Sequence, residues 1–322
     1  MSKAIRIEQT GGPEAMRLVE HDPGAPAAGE LRIRNHAVGV NFIDVYFRTG
    51  AYPMPLPGGI GMEGAGVVEA LGDGVTGFAP GDRVAYAAGP PGAYAEVHNL
   101  AAKSVVALPD AVDFESAAAL MLKGMTVQYL FNRTAALRPG QTILFHAAAG
   151  GVGLIAMQWA RAMGVRVIGT AGSEEKAELA RRHGCEHVIL YRSEDIVERV
   201  REITDGAMVP VVYDSIGKDT FDASLDSLAP FGTMVSFGAA SGPVPPVPLT
   251  ALRGTLYLTR PSVLAYSQRR EDLEAMANGL FEMVADGKVR PVIEKRMPLA
   301  EAAQAHRELE ARRTTGATLL LP

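Results

Sequence analysis

Thr142-Ile143-Leu144-Phe145-His146-Ala147-Ala148-Ala149-Gly150-Gly151-Val152-Gly153 joins an apolar strand to a loop of small residues, and residues 154–163 continue as a helix. Small side chains let a backbone approach a pyrophosphate, whose charge then meets the loop N–H groups and the positive end of the helix. Ala148 stands where the first glycine of a G-x-G-x-x-G fingerprint falls, and alanine still leaves only a low wall beside a phosphate. A bare Gly150-x-x-Gly153 turn is weak evidence for a ligand. Its place after a strand and before a helix makes it the signature of a dinucleotide site.

The flanking pattern agrees. Downstream, helices over 151–163, 174–183, 194–204 and 220–228 alternate with strands over 166–170, 187–190, 210–214, 233–237 and 255–259. Alternation of this kind specifies a parallel sheet with right-handed crossovers. Upstream, residues 116–133 have a helical pattern, and Arg138-Pro139-Gly140 turns the chain into the strand at Thr142. The first third reads as short strands (4–7, 31–40, 64–70, 83–86) cut by turns rich in Pro, Gly and Asp, which predicts a barrel-like β domain. Amphipathic helices over 269–286 and 298–310 and a strand over 317–321 finish the chain.

The end of the second strand of the alternating region refines the ligand. An NAD site of this type places Asp or Glu about 20 residues past the loop, on the ribose 2′-hydroxyl. Here the strand ends Gly169-Thr170-Ala171-Gly172-Ser173, without an acid. Ser173 has the character of an N-cap, and Glu174 and Glu175 suit a first helical turn. Lys176 opposes the helix dipole there, and a bound 2′-phosphate would offset that cost. Tyr191, just past the third strand, is placed to close the same pocket. The residue types therefore point to NADP, against the bland alternative of a surface lysine balanced by its two glutamates.

Bulk properties exclude other classes. The chain has 322 residues, enough for two domains, and a net charge of −5, which argues against a general nucleic-acid or anionic-membrane surface. A lone cysteine, Cys185, rules out an intrachain disulfide and fits a reducing cytosol. No signal peptide is apparent, and no apolar run reaches the ~18 residues of a membrane span. A soluble, cytoplasmic, two-domain protein is expected. His183-x-Cys185-x-His187 resembles a metal triplet, but Gly184 reads as a helix C′ residue, and three ligands from one short turn make poor zinc geometry. His146 reads as a satisfied core histidine. No G-x-S-x-G, C-x-x-C or H-E-x-x-H occurs.

Several blocks in order resemble the medium-chain dehydrogenase/reductase superfamily, in its zinc-free quinone oxidoreductase (zeta-crystallin-like) branch. They are Val40-Asn41-Phe42-Ile43-Asp44-Val45-Tyr46, Gly61-Met62-Glu63-Gly64-Ala65-Gly66-Val67-Val68, Met121-Leu122-Lys123-Gly124-Met125-Thr126-Val127-Gln128-Tyr129-Leu130 and the 147–153 loop. Tyr213-Asp214-Ser215-Ile216-Gly217, Ser236-Phe237-Gly238 and Thr259-Arg260-Pro261-Ser262 add to them, so the likeness covers essentially the whole chain. Zinc alcohol dehydrogenases have a cysteine where Asn41 stands and a histidine where Met62 stands, so the resemblance implies no metal. A quinone suits a site without a Lewis acid, because its reduced product is aromatic.

The resemblance implies an α/β fold: a Rossmann doubly wound parallel-sheet domain over 124–262 and a GroES-like β-barrel catalytic domain over 1–123 and 263–322, with a cleft between them. It implies NADPH as cofactor and transfer of hydride to a quinone. Asn41, Tyr46 and Tyr52 would serve catalysis, with either tyrosine or solvent as the proton source. Asn41, Lys123 and Thr126 would lie at the nicotinamide, and Gly150, Gly151 and Val152 at the pyrophosphate. Gly172, Ser173, Lys176 and Tyr191 would hold the adenosine phosphate. Ser215, Phe237, Gly238 and Ser241 would form the far wall, and Arg312 would reach back from the catalytic domain. A homodimer through the last Rossmann strand, around Thr255-Leu256-Tyr257-Leu258-Thr259, is expected, because a bare apolar edge invites pairing. An enoyl or 2-alkenal reductase, and a non-catalytic NADPH-binding protein with a structural or RNA-binding role, are the alternatives.

Overall fold

Strand Thr142–Phe145 lies inside a six-stranded sheet, flanked by Arg166–Ala171 and Val209–Asp214. His187–Leu190 lies outside the first neighbour, and Leu228–Ser236 and then Tyr257–Thr259 lie outside the second. Every pairing in this sheet is parallel. In chain order the strands run 3-2-1-4-5-6, the order of a doubly wound nucleotide-binding sheet. Winding reverses beside Thr142–Phe145, and ligands of such sheets bind at that switch point, outside the carboxyl ends of the strands. Helices cover the sheet, so its strands are nearly continuous apolar runs. Leu144, Ile168, Ile189, Val212 and Met234 are wholly buried in one cluster.

The computed structural model describes residues 1–87 and 89–322. The chain divides into two units. The sheet above belongs to the unit of Thr126–Ala265 and Gly287–Arg290; Met1–Met125, Tyr266–Asp286 and Pro291–Pro322 form the other. The second unit is built on a seven-stranded sheet, ordered Ile293–Pro298, Ala317–Leu321, Glu30–Gly39, Glu63–Leu71, Arg83–Tyr86 and Val105–Ala107, with Val97–Ala101 also pairing with Glu30–Gly39. A small sheet of Arg17–His21, Ser2–Ile7 and Gly58–Gly59 accompanies it.

Four helices position the residues of interest: α1 (Phe42–Thr49), α2 (Phe114–Tyr129), α3 (Gly151–Ala162) and α4 (Glu174–Arg182). Helix α1 was not foreseen, because its eight residues are mostly β-branched or aromatic and favour a strand by propensity. Its ends are fixed locally instead. Asn41 N donates to Asp44 Oδ2 at 2.8 Å at one end, and Gly50 takes the left-handed conformation at the other. The strand expected over 233–237 begins at Leu228; its first half was hidden by Pro230-Phe231-Gly232, where Phe231 adopts φ 65° and the register shifts. The helix expected over 298–310 starts later, at Ala302, because Pro298 ends a strand that pairs with Ala317–Leu321.

Candidate functional site

At the N-terminus of α3, Gly150 is an extended N-cap with no capping side chain, and no acid stands in the first turn. The first N–H groups of a helix have no intrahelical acceptor, so this end is left open to an anion. Gly150, Gly151 and Val152 are each half-buried here. A Cβ built on Gly153 would lie 2.3 Å from Ala147 O and 2.6 Å from Ala148 O, so only glycine lets α3 sit this close to the loop. The structure also explains Ala148. Its methyl faces Gly169, where an added Cβ would come within 2.6 Å of it, so the space conceded at one position is recovered at the other.

Below the loop, a polar cluster holds its start. His146 is wholly buried, with Nδ1 3.2 Å from Thr170 Oγ1 and Nε2 3.0 Å from Ser224 Oγ. Ser224 Oγ donates to Asp214 Oδ2 at 2.7 Å, so it accepts from His146, whose proton sits on Nε2. Burial lowers the His146 pKa, despite the opposing charge of Asp214, and favours this neutral tautomer. Asp214 Oδ1 also accepts from Ile216 N and Gly217 N, which anchors the loop carrying Ser215.

The residues expected on the adenosine side come together as well. Ser173 Oγ accepts from Lys176 N at 3.4 Å and caps α4. Tyr191 N donates to Ala171 O at 3.2 Å, and a Cβ on Gly172 would meet the Tyr191 hydroxyl at 2.6 Å. Ser215, Gly238 and Ser241 share one corner: a Cβ on Gly238 would lie 2.6 Å from Ser215 O, and Ser241 Oγ donates to Ile216 O at 2.8 Å. Ser241 Oγ also accepts from Asp219 N, so this hydroxyl braces the loop. The Phe237 ring is 5.8 Å from that of Phe145. Cys185 is buried, which pushes its thiol up to about 12.

The most concentrated buried charge lies in the other unit. Glu63, wholly buried, accepts from Leu122 N at 2.7 Å on Oε1, and on Oε2 from Asn41 Nδ2 at 2.7 Å and Lys123 Nζ at 3.1 Å. Asn41 and Lys123, on separate elements, are thus joined by one carboxylate. Asp44, next to Asn41, accepts from Tyr94 Oη at 2.8 Å on Oδ2, while its Oδ1 has no partner among the described residues. Burial dominates and pushes Asp44 up to about 7, against the hydrogen bonds from Asn41 and Tyr94 and the charge of Lys123.

Beyond Tyr94, the hydrogen bonds have a fixed direction. His306 Nδ1 lies 3.0 Å from Arg48 Nη1, and arginine cannot accept, so the His306 proton is on Nε2, 3.1 Å from Tyr94 Oη. Burial and the Arg48 charge lower His306 to about 3. The Arg48 guanidinium is paired with Glu310 at 2.7 Å. Tyr94, Asp44, Glu63, Arg48 and His306 were not foreseen as a group. Their signal was a charged or polar side chain in an apolar stretch, as at Glu63 in Glu63–Leu71.

Tyr46 and Tyr52 stand together, rings 5.2 Å apart, both half-buried. Thr126 is buried on α2, and Arg312 is exposed with φ 56° after helix Ala302–Glu310.

A family model described as alcohol dehydrogenase GroES-like domain matches residues 27–110, and one described as zinc-binding dehydrogenase matches 151–282. The quinone oxidoreductase of Pseudomonas aeruginosa is 57% identical across 100% of both chains. The 2-haloacrylate reductase of a Burkholderia species is 44% identical over 100% of this chain and 99% of its own. The crystal structure of Escherichia coli quinone oxidoreductase complexed with NADPH superposes with a TM-score of 0.98 at 49% identity, covering 99% of this chain and 100% of that one. The span matched by the second model contains neither Asn41 nor Met62, and among the described residues no group of three or more His, Cys, Asp or Glu could hold a metal ion. The Asn41 amide and the Lys123 ammonium both donate to Glu63, and neither offers a metal the lone pair of a thiolate or imidazole.

Proposed function

The chain belongs to the quinone oxidoreductases of the medium-chain dehydrogenase/reductase superfamily, and on that premise we propose that it is an NADPH-dependent quinone reductase that works without a metal ion. The observation carrying this is the open α3 N-terminus at the switch point of a 3-2-1-4-5-6 sheet, in a chain so close to a reductase solved with NADPH. The cradle fits that cofactor, since a side chain at Gly153 would force α3 off the loop. When bound, NADPH supplies a hydride to the acceptor.

The chain's own residues bind, orient and exclude water. Gly150, Gly151 and Val152 hold the pyrophosphate through backbone N–H groups, with the His146–Ser224–Asp214 cluster fixing the loop beneath. Gly172, Ser173, Lys176 and Tyr191 hold the adenosine phosphate, Lys176 supplying the positive charge that an NAD site would replace by an acid. Ser215, Phe237, Gly238, Ser241 and Arg312 complete the nucleotide site. Asn41, Lys123 and Thr126 serve the nicotinamide, and Asn41, Tyr46 and Tyr52 the acceptor, where positioning and water exclusion supply most of the rate.

A second reading has its own support: the 2-haloacrylate reductase acts, by its name, on an activated C=C bond. Steady-state NADPH oxidation with 1,4-benzoquinone and with 2-alkenals separates the two. The quinone should give the higher kcat/KM; faster alkenal reduction would sink the quinone assignment, and tight NADPH binding without turnover would reduce the chain to a binder. We also propose a cytoplasmic homodimer paired along the edge strand Tyr257–Thr259, where Tyr257 and Leu258 are exposed. A monomer in sedimentation would refute the dimer. No helix among the described residues is long and apolar enough to cross a membrane.

A further inference from the structure

Glu63 and Lys123 go beyond anything the relatives' names convey, and the inference drawn from them rests on the reductase reading above. Lysine carries three N–H donors. Among the described residues the Lys123 ammonium has one hydrogen-bond acceptor, Glu63 Oε2 at 3.1 Å, although its residue is only 5% exposed. Buried charged donors without acceptors are costly in a free protein, and at a binding site they mark where an electron-rich oxygen is to be received. The second observation is the ammonium's company. It shares Glu63 Oε2 with Asn41 Nδ2, so donors from two separate elements converge on one wholly buried carboxylate oxygen and the ammonium is held in a fixed place.

We propose that Lys123 is a catalytic residue whose ammonium, held on Glu63, hydrogen-bonds the acceptor oxygen that gathers negative charge. Glu63 is its positioning residue: one oxygen is fixed by Leu122 N, and the other aims both Lys123 and Asn41. The hydride brings two electrons and one proton to the quinone. The resulting oxyanion is stabilised by the ammonium and then takes one proton from the medium. NADPH, H⁺ and quinone thus give NADP⁺ and hydroquinone, and Lys123 ends in its starting state.

The test begins with wild-type turnover of 1,4-benzoquinone by NADPH; its absence refutes the reductase reading rather than this one. With turnover present, Lys123→Met should lower kcat by about 10²–10³, the loss seen when one preorganised oxyanion donor is removed, a loss far larger than any weakening of the NADPH Kd in fluorescence titration. Glu63→Gln should lower kcat in the same direction with the same NADPH Kd. A wild-type kcat in Lys123→Met, or a loss confined to NADPH affinity, overturns the proposal. If neither variant folds, the wild-type NADP⁺ complex decides. It should bind 4-nitrophenolate, a mimic of the oxyanion, at least about tenfold more tightly than uncharged nitrobenzene. Equal affinities overturn the role of Lys123.

Discussion

Asp44→Asn tests the buried charge cluster through its effect on stability. Asp44 is wholly buried and is pushed up from 3.8 to about 7, chiefly by burial. A folded-state value above the unfolded one means that the native state binds the proton more tightly. The resulting stabilisation is fully present below pH 3.8 and is lost as the pH rises through about 7. Each unit is worth about 1.4 kcal/mol, so holding the carboxylate ionised opposes folding by about 4 kcal/mol above that range. Between pH 5 and pH 8 the wild type should lose about 3 kcal/mol relative to the asparagine variant. Asparagine keeps an acceptor oxygen for Asn41 N and Tyr94 Oη and carries no charge. It puts an amide N–H where Oδ1 now has no partner, a penalty nearly independent of pH; the attraction of Lys123 acts only on the ionised carboxylate and is already contained in the value of about 7. Urea unfolding followed by circular dichroism at the two pH values measures the difference. A gap between wild type and variant that stays constant from pH 5 to pH 8 would show that Asp44 does not titrate in this window, and the account of the cluster would fail.

Lys176→Ala should weaken NADPH by about tenfold or more and leave NADH nearly unchanged, as expected when a charge-assisted contact to a phosphate is lost; equal losses in fluorescence titrations would show that this lysine does not read the 2′-phosphate. Gly153→Ala would place a methyl 2.3 Å from Ala147 O. Overpacking of this kind destabilises by about 1–3 kcal/mol. A lower urea midpoint and weaker NADPH binding are therefore expected, and an unchanged variant would remove the packing argument for that glycine.

The nucleotide half was legible because its information is local. A strand, a small-residue turn and a helix start occupy consecutive positions, and in sites of this class backbone N–H groups meet the phosphate, so side-chain size along the chain carries the signal. The missing acid at the end of Arg166–Ala171 and Lys176 in the first turn of α4 are read the same way. Helix α1 was missed because it is only eight residues long and made mostly of β-branched and aromatic residues, so its cap and left-handed glycine outweigh propensity.

Sequence alone therefore determined the doubly wound sheet and its strand, small-residue turn and helix start. Tertiary structure alone decided which donors gather on the buried Glu63. Asn41 and Lys123 lie 22 and 60 positions from Glu63, and His306 lies 212 from Tyr94. No pattern along the chain marks such pairs, because a buried carboxylate is satisfied by whichever donors the packed elements bring within about 3 Å, and that is a property of the folded core.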